Sequence, residues 1–257
     1  MIGNMNLKQK LAQGEITYGM MLSELYVPNL VRLLGTCGFD FLLVDCEHGY
    51  FDMSQVANLI AVAAGEQLPI IVRIAELDRS MITKYLDMGA QGILLANTEG
   101  IEMARKLVKQ CLYAPQGDRG VSTFRAHTGY HTGDTARIMS EANERNLILC
   151  QIESPQAVEE AEDILALPEI TGVMVGPNDL SQHMGIFGQY EHPKMQQAVR
   201  KVAQAAIKQH KWAGMISSDA GLLRFSKEAG MTCFSSGSEL SMLAKGAKEE
   251  LQKLRTL

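Results

Sequence analysis

Three ionisable residues, Asp45, Glu47 and His48, end an apolar run that begins at Phe39, and Gly49 closes the group. Five of the six residues from Phe39 to Val44 are apolar, which suits a strand buried on both faces. Asp45 and His48 stand three apart across the strand exit. At that spacing the carboxylate can hold the tautomer and orientation of an imidazole that moves a proton. The same stretch also reads as a polar loop capping the next helix, and Asp45-to-Gly49 alone does not separate the two.

Other apolar runs end in the same way. Pro69-Ile70-Ile71-Val72 stops on Arg73, Leu147 to Ile152 stops on Glu153, and Gly172 to Gly176 leaves through Pro177-Asn178-Asp179. Thr17 to Leu22 exits at Ser23 and Glu24, Gly92 to Ala96 at Asn97, and the last two runs at Ser217 with Asp219 and at Ser236-Gly237-Ser238. Glu153 and Asp179 leave consecutive strands, so their carboxylates can meet. A carboxylate pair with space for water and a chelating substrate suits a hard divalent cation, Mg²⁺ or Mn²⁺. Locally, Asp179 also fits a helix N-cap, and Glu153 a first-turn charge beside Ser154-Pro155. Arg73 carries a permanent, planar charge that can stabilise an oxyanion or simply neutralise its acidic neighbours. His127, His131, His183, His192 and His210 lack carboxylates at useful spacing and read as surface residues. The 15 methionines read as core filling. No lysine stands at a strand end, which disfavours an imine mechanism.

The elements that must position these groups alternate regularly. Strand candidates lie at 17–22, 39–44, 69–73, 92–96, 147–152, 172–176, 213–216 and 232–235. Helical spacing falls between them, at 29–35, 53–64, 80–88, 101–111, 137–144, after Ser154, 195–209 and 221–229. A short helix opens the chain at Leu7 to Gly14, and a terminal helix closes it at Ser241 to Leu254. Eight strands alternating with helices predict a parallel α/β architecture, most simply a closed (β/α)8 barrel of one domain over residues 1–257. A doubly wound open sheet is the alternative, but no Gly-rich turn follows the first strand. Tyr113 to Gly133 is a long polar excursion, a length that is usually functional or partly disordered.

Composition narrows the function classes. With 46% hydrophobic and 21% charged residues a large core can form. The net charge of -5, without basic runs, argues against nucleic acid and membrane surfaces. The five cysteines are odd in number and scattered, the first residues lack an apolar signal core, and no stretch is long enough to span a bilayer. A reducing cytoplasm is the expected setting.

Taken together, several stretches resemble the metal-dependent 2-oxo-acid aldolases that act on 4-hydroxy-2-oxoheptanedioate and 2-dehydro-3-deoxyglucarate. They are Gly38-Phe39-Asp40 through Val44-Asp45-Cys46-Glu47-His48, Ile71-Val72-Arg73, Leu86-Asp87-Met88-Gly89-Ala90-Gln91, Tyr113-Ala114-Pro115-Gln116-Gly117-Asp118-Arg119-Gly120, Gln151-Ile152-Glu153-Ser154 and Val175-Gly176-Pro177-Asn178-Asp179-Leu180-Ser181. The resemblance implies a (β/α)8 barrel in which Glu153 and Asp179 hold Mg²⁺ or Mn²⁺, with Co²⁺ as a further option, and the metal chelates pyruvate. It implies that Arg73 stabilises the enolate oxygen and that His48 and Asp45, with a metal-bound water, handle protons. Gly176, Asn178, Asp179 and Ser23 are the substrate-binding candidates, with Asp87 and Asn97 as further ones. Partners would be a 2-oxo acid, an aldehyde and other copies of the chain, with a hexamer favoured and the last helix packed on a neighbour.

Three departures stand on the acceptor side: Asn97-Thr98-Glu99 where a Pro-Met pair is usual, Tyr113-Ala114-Pro115 for Tyr-Pro-Pro, and the polar exit Ser235-Ser236-Gly237-Ser238-Glu239. Alternatives with the same enolate chemistry are an oxaloacetate decarboxylase and a CoA-ester lyase; a non-catalytic barrel is the alternative of another class.

Overall fold

The computed structural model describes residues 6–257, so Met1–Met5, part of the stretch scanned for a signal, lies outside the described residues. Eight strands pair in parallel in chain order: β1 Thr17–Leu22, β2 Phe41–Cys46, β3 Ile70–Ile74, β4 Gly92–Leu95, β5 Leu147–Ile152, β6 Gly172–Val175, β7 Trp212–Ile216 and β8 Cys233–Ser238. β8 returns to pair with β1, with a register shift between Gly19 and Met21. The sheet is therefore a closed barrel, and the open doubly wound alternative falls.

Helices fill every crossover and flank the barrel at both ends: α1 Asn6–Ala12 ahead of β1, then α2 Pro28–Thr36, α3 Met53–Gly65, α4 Arg79–Met88, α5 Ile101–Cys111, α6 Thr135–Arg145, α7 Pro155–Glu159, α8 Ala161–Ala166, α9 Pro177–His183, α10 Pro193–Lys208 and α11 Ala220–Glu228, and α12 Glu239–Leu254 after β8. Local chemistry starts and stops them. Asp52 and Gln55 form a reciprocal capping box on α3, and Ser154 caps α7 ahead of Pro155 as the sequence predicts. Gly89, at φ 104°, ends α4 in the left-handed conformation that glycine adopts without strain. Pro177 to Ser181, read as a strand exit, is the start of α9. Gly176 is its N-cap, so Asp179 sits inside the first turn and is not the cap.

Strand alternation sorts the side chains into two layers. Phe41, Leu43, Ile71, Leu94, Leu147, Leu149 and Met174 fill the barrel interior, with Leu7 and Leu11 of α1 in the same cluster. Their neighbours Leu42, Val44, Val72, Ile93, Leu95, Ile148 and Val175 join the helices in the outer core. The inward series then continues into polar residues: Asp45 follows Leu43 by two, Arg73 follows Ile71 by two, and Gln151 and Glu153 follow Leu149 by two and four.

The long excursion after α5 is packed by its own polar residues. Buried Arg119 lies over the Tyr113 ring at 4.5 Å and donates to Asp87 Oδ1 at 2.5 Å. His127, expected at the surface, is buried, with Nε2 3.3 Å from Tyr113 Oη. At the other extreme, Glu239 is the only buried residue of α12, and from Ser241 onward the helix is exposed. Among the described residues no helix is long and apolar enough to cross a membrane.

Candidate active site

The β2–β3 register sets Asp45 directly beside Arg73. Arg73 Nε donates to Asp45 Oδ1 at 2.9 Å and Nη2 to Oδ2 at 2.6 Å, a two-pronged pair between buried groups. The remaining arm, Nη1, stands 3.2 Å from Glu47 Oε2. Burial alone would raise the Asp45 carboxyl. The hydrogen bonds and charge of Arg73, with the main-chain N–H groups of Glu47 and His48, outweigh it and hold the carboxyl below its usual range. Glu47 goes the other way, pushed up chiefly by burial, although Arg73 and His48 pull it down.

The expected Asp45–His48 dyad does not form. Asp45 Oδ1 accepts the main-chain N–H of Glu47 at 3.0 Å and of His48 at 3.3 Å, so the three-residue spacing closes a turn. The His48 ring is 70% exposed, and its Nε2 lies 4.0 Å from Glu47 Oε2. Asp45 orients the guanidinium, and Glu47 is the acid nearest the imidazole.

Across the mouth, buried Glu153 is held at both oxygens. Oε2 accepts the Asn97 main-chain N–H at 2.7 Å, and Oε1 accepts from Gln151 Nε2 at 2.5 Å. Asn97 adopts φ 42°, a left-handed conformation in which asparagine is enriched, and this aims its N–H inward. Gly176 stands against the same carboxylate, and a Cβ there would collide with Glu153 Oε1 and Gln151 Nε2. Burial raises the Glu153 carboxyl most, and the nearby Glu47 and Asp179 add to this, against the bonds from Asn97 and Gln151. His183, exposed as expected, places Nδ1 2.8 Å from the Glu153 main-chain oxygen and ties α9 to the β5 exit.

These groups converge on a cavity of about 290 Å³ lined by Met21, His48, Arg73, Gln151, Glu153, Gly176 to Asp179, Tyr190, Ile216 to Ser218, Gly237, Ser238 and Ser241. Two hollows of similar or larger size elsewhere are lined by ionisable residues too, but none of those is buried as Arg73 and Glu153 are, so buried charge and not volume marks the site. His48, Arg73, Glu153, Gly176, Asn178 and Asp179 are brought together as predicted. Ser23 is not among the lining residues; its hydroxyl lies 3.3 Å from Glu239 Oε1. Asp87 pairs with Arg119 on the outer wall, and Asn97 serves Glu153 by its main chain while its side chain is exposed. Sequence reasoning missed Gln151, although a polar residue on the inward side of an apolar strand signals it. Tyr190, whose hydroxyl donates to Asn178 Oδ1, comes from a loop without such a signal.

Glu153 and Asp179 are the groups able to hold a hard cation. Among the described residues no three His, Cys, Asp or Glu form a ligand set, so such an ion would keep positions for water and substrate, as Mg²⁺ prefers. The buried acceptor Gln151 Oε1, which lines the cavity without a hydrogen bond, fits the shell of a cation there.

A model of the HpcH/HpaI aldolase/citrate lyase family matches residues 19–245. The chain belongs to this family. This HpcH/HpaI protein is 32% identical over 244 residues to the hydroxypyruvate/pyruvate aldolase of Roseobacter denitrificans, covering 94% of this chain and 93% of that one. It is 30% identical over 242 residues to the 5-keto-4-deoxy-D-glucarate aldolase of Klebsiella pneumoniae subsp. pneumoniae, covering 94% and 93%. The crystal structure of an HpcH/HpaI aldolase from Desulfitobacterium hafniense matches with a TM-score of 0.91 at 33% identity, covering 98% of this chain and 97% of that one. The resemblance read from the motifs therefore holds, and this HpcH/HpaI member is an enzyme, a carbon–carbon lyase of the aldolase type.

Proposed function

We propose that this enzyme is a divalent-metal-dependent aldolase that forms and cleaves 4-hydroxy-2-oxo acids through the enolate of pyruvate. One observation carries the reading: a guanidinium fixed by two carboxylates faces the same cavity as a second carboxylate pair, Glu153 and Asp179. Glu153 and Asp179 would hold the ion, with Mg²⁺ or Mn²⁺ favoured over Co²⁺. When bound, the ion supplies Lewis-acid polarisation of the 2-oxo group. The first-turn N–H groups of Asn178 and Asp179, beside the bare Cα of Gly176, receive the substrate carboxylate. In cleavage the C4 hydroxyl loses its proton, the C3–C4 electrons pass into the enolate, and the aldehyde leaves. Arg73, already aligned by Asp45, meets the developing oxyanion without reorganising. His48, the exposed acid–base group of the mouth, moves the proton off the C4 hydroxyl and returns it to C3 of the enolate, giving pyruvate. The names of the relatives suggest hydroxypyruvate as a second donor.

Exchange of the pyruvate methyl protons in D₂O tests this without any assumption about the aldehyde. Mn²⁺ or Mg²⁺ should support exchange followed by NMR, and EDTA should abolish it. Absence of exchange with every divalent ion tried would sink the pyruvate reading.

The exposed Leu243, Leu251 and Leu254 of α12 support a homo-oligomer, a hexamer being favoured, in which this helix lies on a neighbouring copy. Sedimentation velocity at micromolar concentration should return a multiple of the chain mass, and a monomer throughout would overturn the assembly. All five cysteines are free, in keeping with a reducing cytoplasm.

A further inference from the structure

We infer that Glu239 is a positioning residue that holds the turn Asp45–Gly49 in place through the loop Ser23–Leu25. Glu239 is 4% exposed, and its carboxylate is met by main-chain donors. Oε1 accepts the consecutive N–H groups of Ser23 at 2.8 Å, Glu24 at 2.6 Å and Leu25 at 3.0 Å, and the Ser23 hydroxyl lies within 3.4 Å of Oε2. Successive N–H groups converging on one oxygen form an anion socket, and bonds to a charged acceptor are roughly twice as strong as neutral ones.

The socket backs directly onto the turn that carries Glu47 and His48. A Cβ on Gly49 would stand 2.5 Å from the Ser23 carbonyl oxygen and would also collide with that of Asp45, so loop and turn touch main chain to main chain without slack. Glu24 adds a second tie, accepting from Tyr50 Oη at 2.9 Å. On its other side Glu239 follows Gly237 and Ser238, which line the cavity, and opens α12, whose later residues are exposed. Undoing the socket frees the loop, and the turn relaxes with it. Glu153, clamped by Asn97 and Gln151 on the β5–β6 side, is out of reach of this change.

The test compares Glu239→Ala, Glu239→Asp (charge kept, reach lost) and Glu239→Gln (reach and acceptor kept, charge lost). Two readouts are local amide hydrogen exchange and pyruvate deuteration; only the second rests on the proposed function. In the Ala and Asp variants, exchange at the Glu47 and His48 amides should accelerate at least about tenfold while Asn97 stays within about twofold. Their kcat for deuteration should fall at least about tenfold, with the pyruvate KM and the Mn²⁺ Kd within about twofold, because a small misplacement of a proton-transfer group costs rate before it costs binding. The Gln variant should return both readouts to within about threefold of wild type. Unchanged amides and kcat in the folded variants would overturn the inference. So would a parallel loss of Asn97 protection and Mn²⁺ affinity, which means general loosening. Should the Ala variant not fold, equal protection in Asp and Gln is the overturning result. A wild type that does not deuterate pyruvate refutes the proposed function, while the amides still decide the role of Glu239.

Discussion

Glu153→Gln is expected to lower metal-supported pyruvate exchange by at least about 10³-fold, more than the 10–100-fold that loss of an outer partner costs. The substitution keeps an acceptor for the Asn97 N–H, and Gln151 can turn its amide to suit, so the barrel should stay folded. The charge is what goes. In the metal-free protein that charge is unfavourable, since burial and the neighbouring Glu47 and Asp179 raise the carboxyl. A carboxyl with a raised folded-state pKa binds its proton more tightly folded than unfolded. Its contribution to stability therefore falls as pH climbs from the ordinary glutamate value towards the raised one. At neutral pH the metal-free Gln variant should match or exceed wild type in urea, and the stabilisation of wild type by Mn²⁺ should disappear. A variant that retained the Mn²⁺-induced rise in Tm would take Glu153 out of the ion's coordination.

Asp45→Asn should be the most damaging single change to fold and activity together. It leaves the Arg73 guanidinium, 7% exposed, with Glu47 and the weaker field of Glu153 as counter-charges, and breaking one side of a buried pair costs about 3–5 kcal/mol. Enolate stabilisation would also lose its aligned fork, at about 10²–10³-fold in kcat, the scale for one lost oxyanion donor. The pH dependence separates this from a packing defect. The Asp45 carboxyl lies below its ordinary value of 3.8, so its stabilisation is full above that value and is lost as pH falls through the depressed one. Urea melts should show the widest gap between wild type and variant near neutral pH and a closing gap in acid. A gap of constant size would assign the loss to packing.

What could be read in the chain, and what could not, follows from which distances a sequence encodes. Strand order and the mouth of the barrel were legible because apolar runs break abruptly into ionisable residues at Asp45, Arg73, Glu153 and Asp179. Partner choice was not. The spacing of Asp45 and His48 measures reach along one strand, whereas the charge that claims Asp45 lies across the sheet on Arg73, where register decides. Ser23 stands at a strand exit as expected, yet main-chain bonds turn it to Glu239, a contact between positions 216 apart. His127 reads as a loop residue because its burial depends on Tyr113 and Asp87, which share no periodic pattern with it. Gln151 was within reach, since alternation along β5 points it inward.

The seam between β1 and β8 also sets an order of events in synthesis. A chain made from its N-terminus has Asp45, Arg73, Glu153 and Asp179 in hand while the sheet is still an open ribbon with two unpaired edges. Gly237, Ser238 and Ser241, together with the carboxylate that fills the Ser23–Leu25 socket, come only with the closing strand and the helix after it. Until then the acidic cluster is unroofed and the three N–H groups of the loop are turned to water. Competence therefore does not accrue with each βα unit but waits on the closing strand and the helix after it.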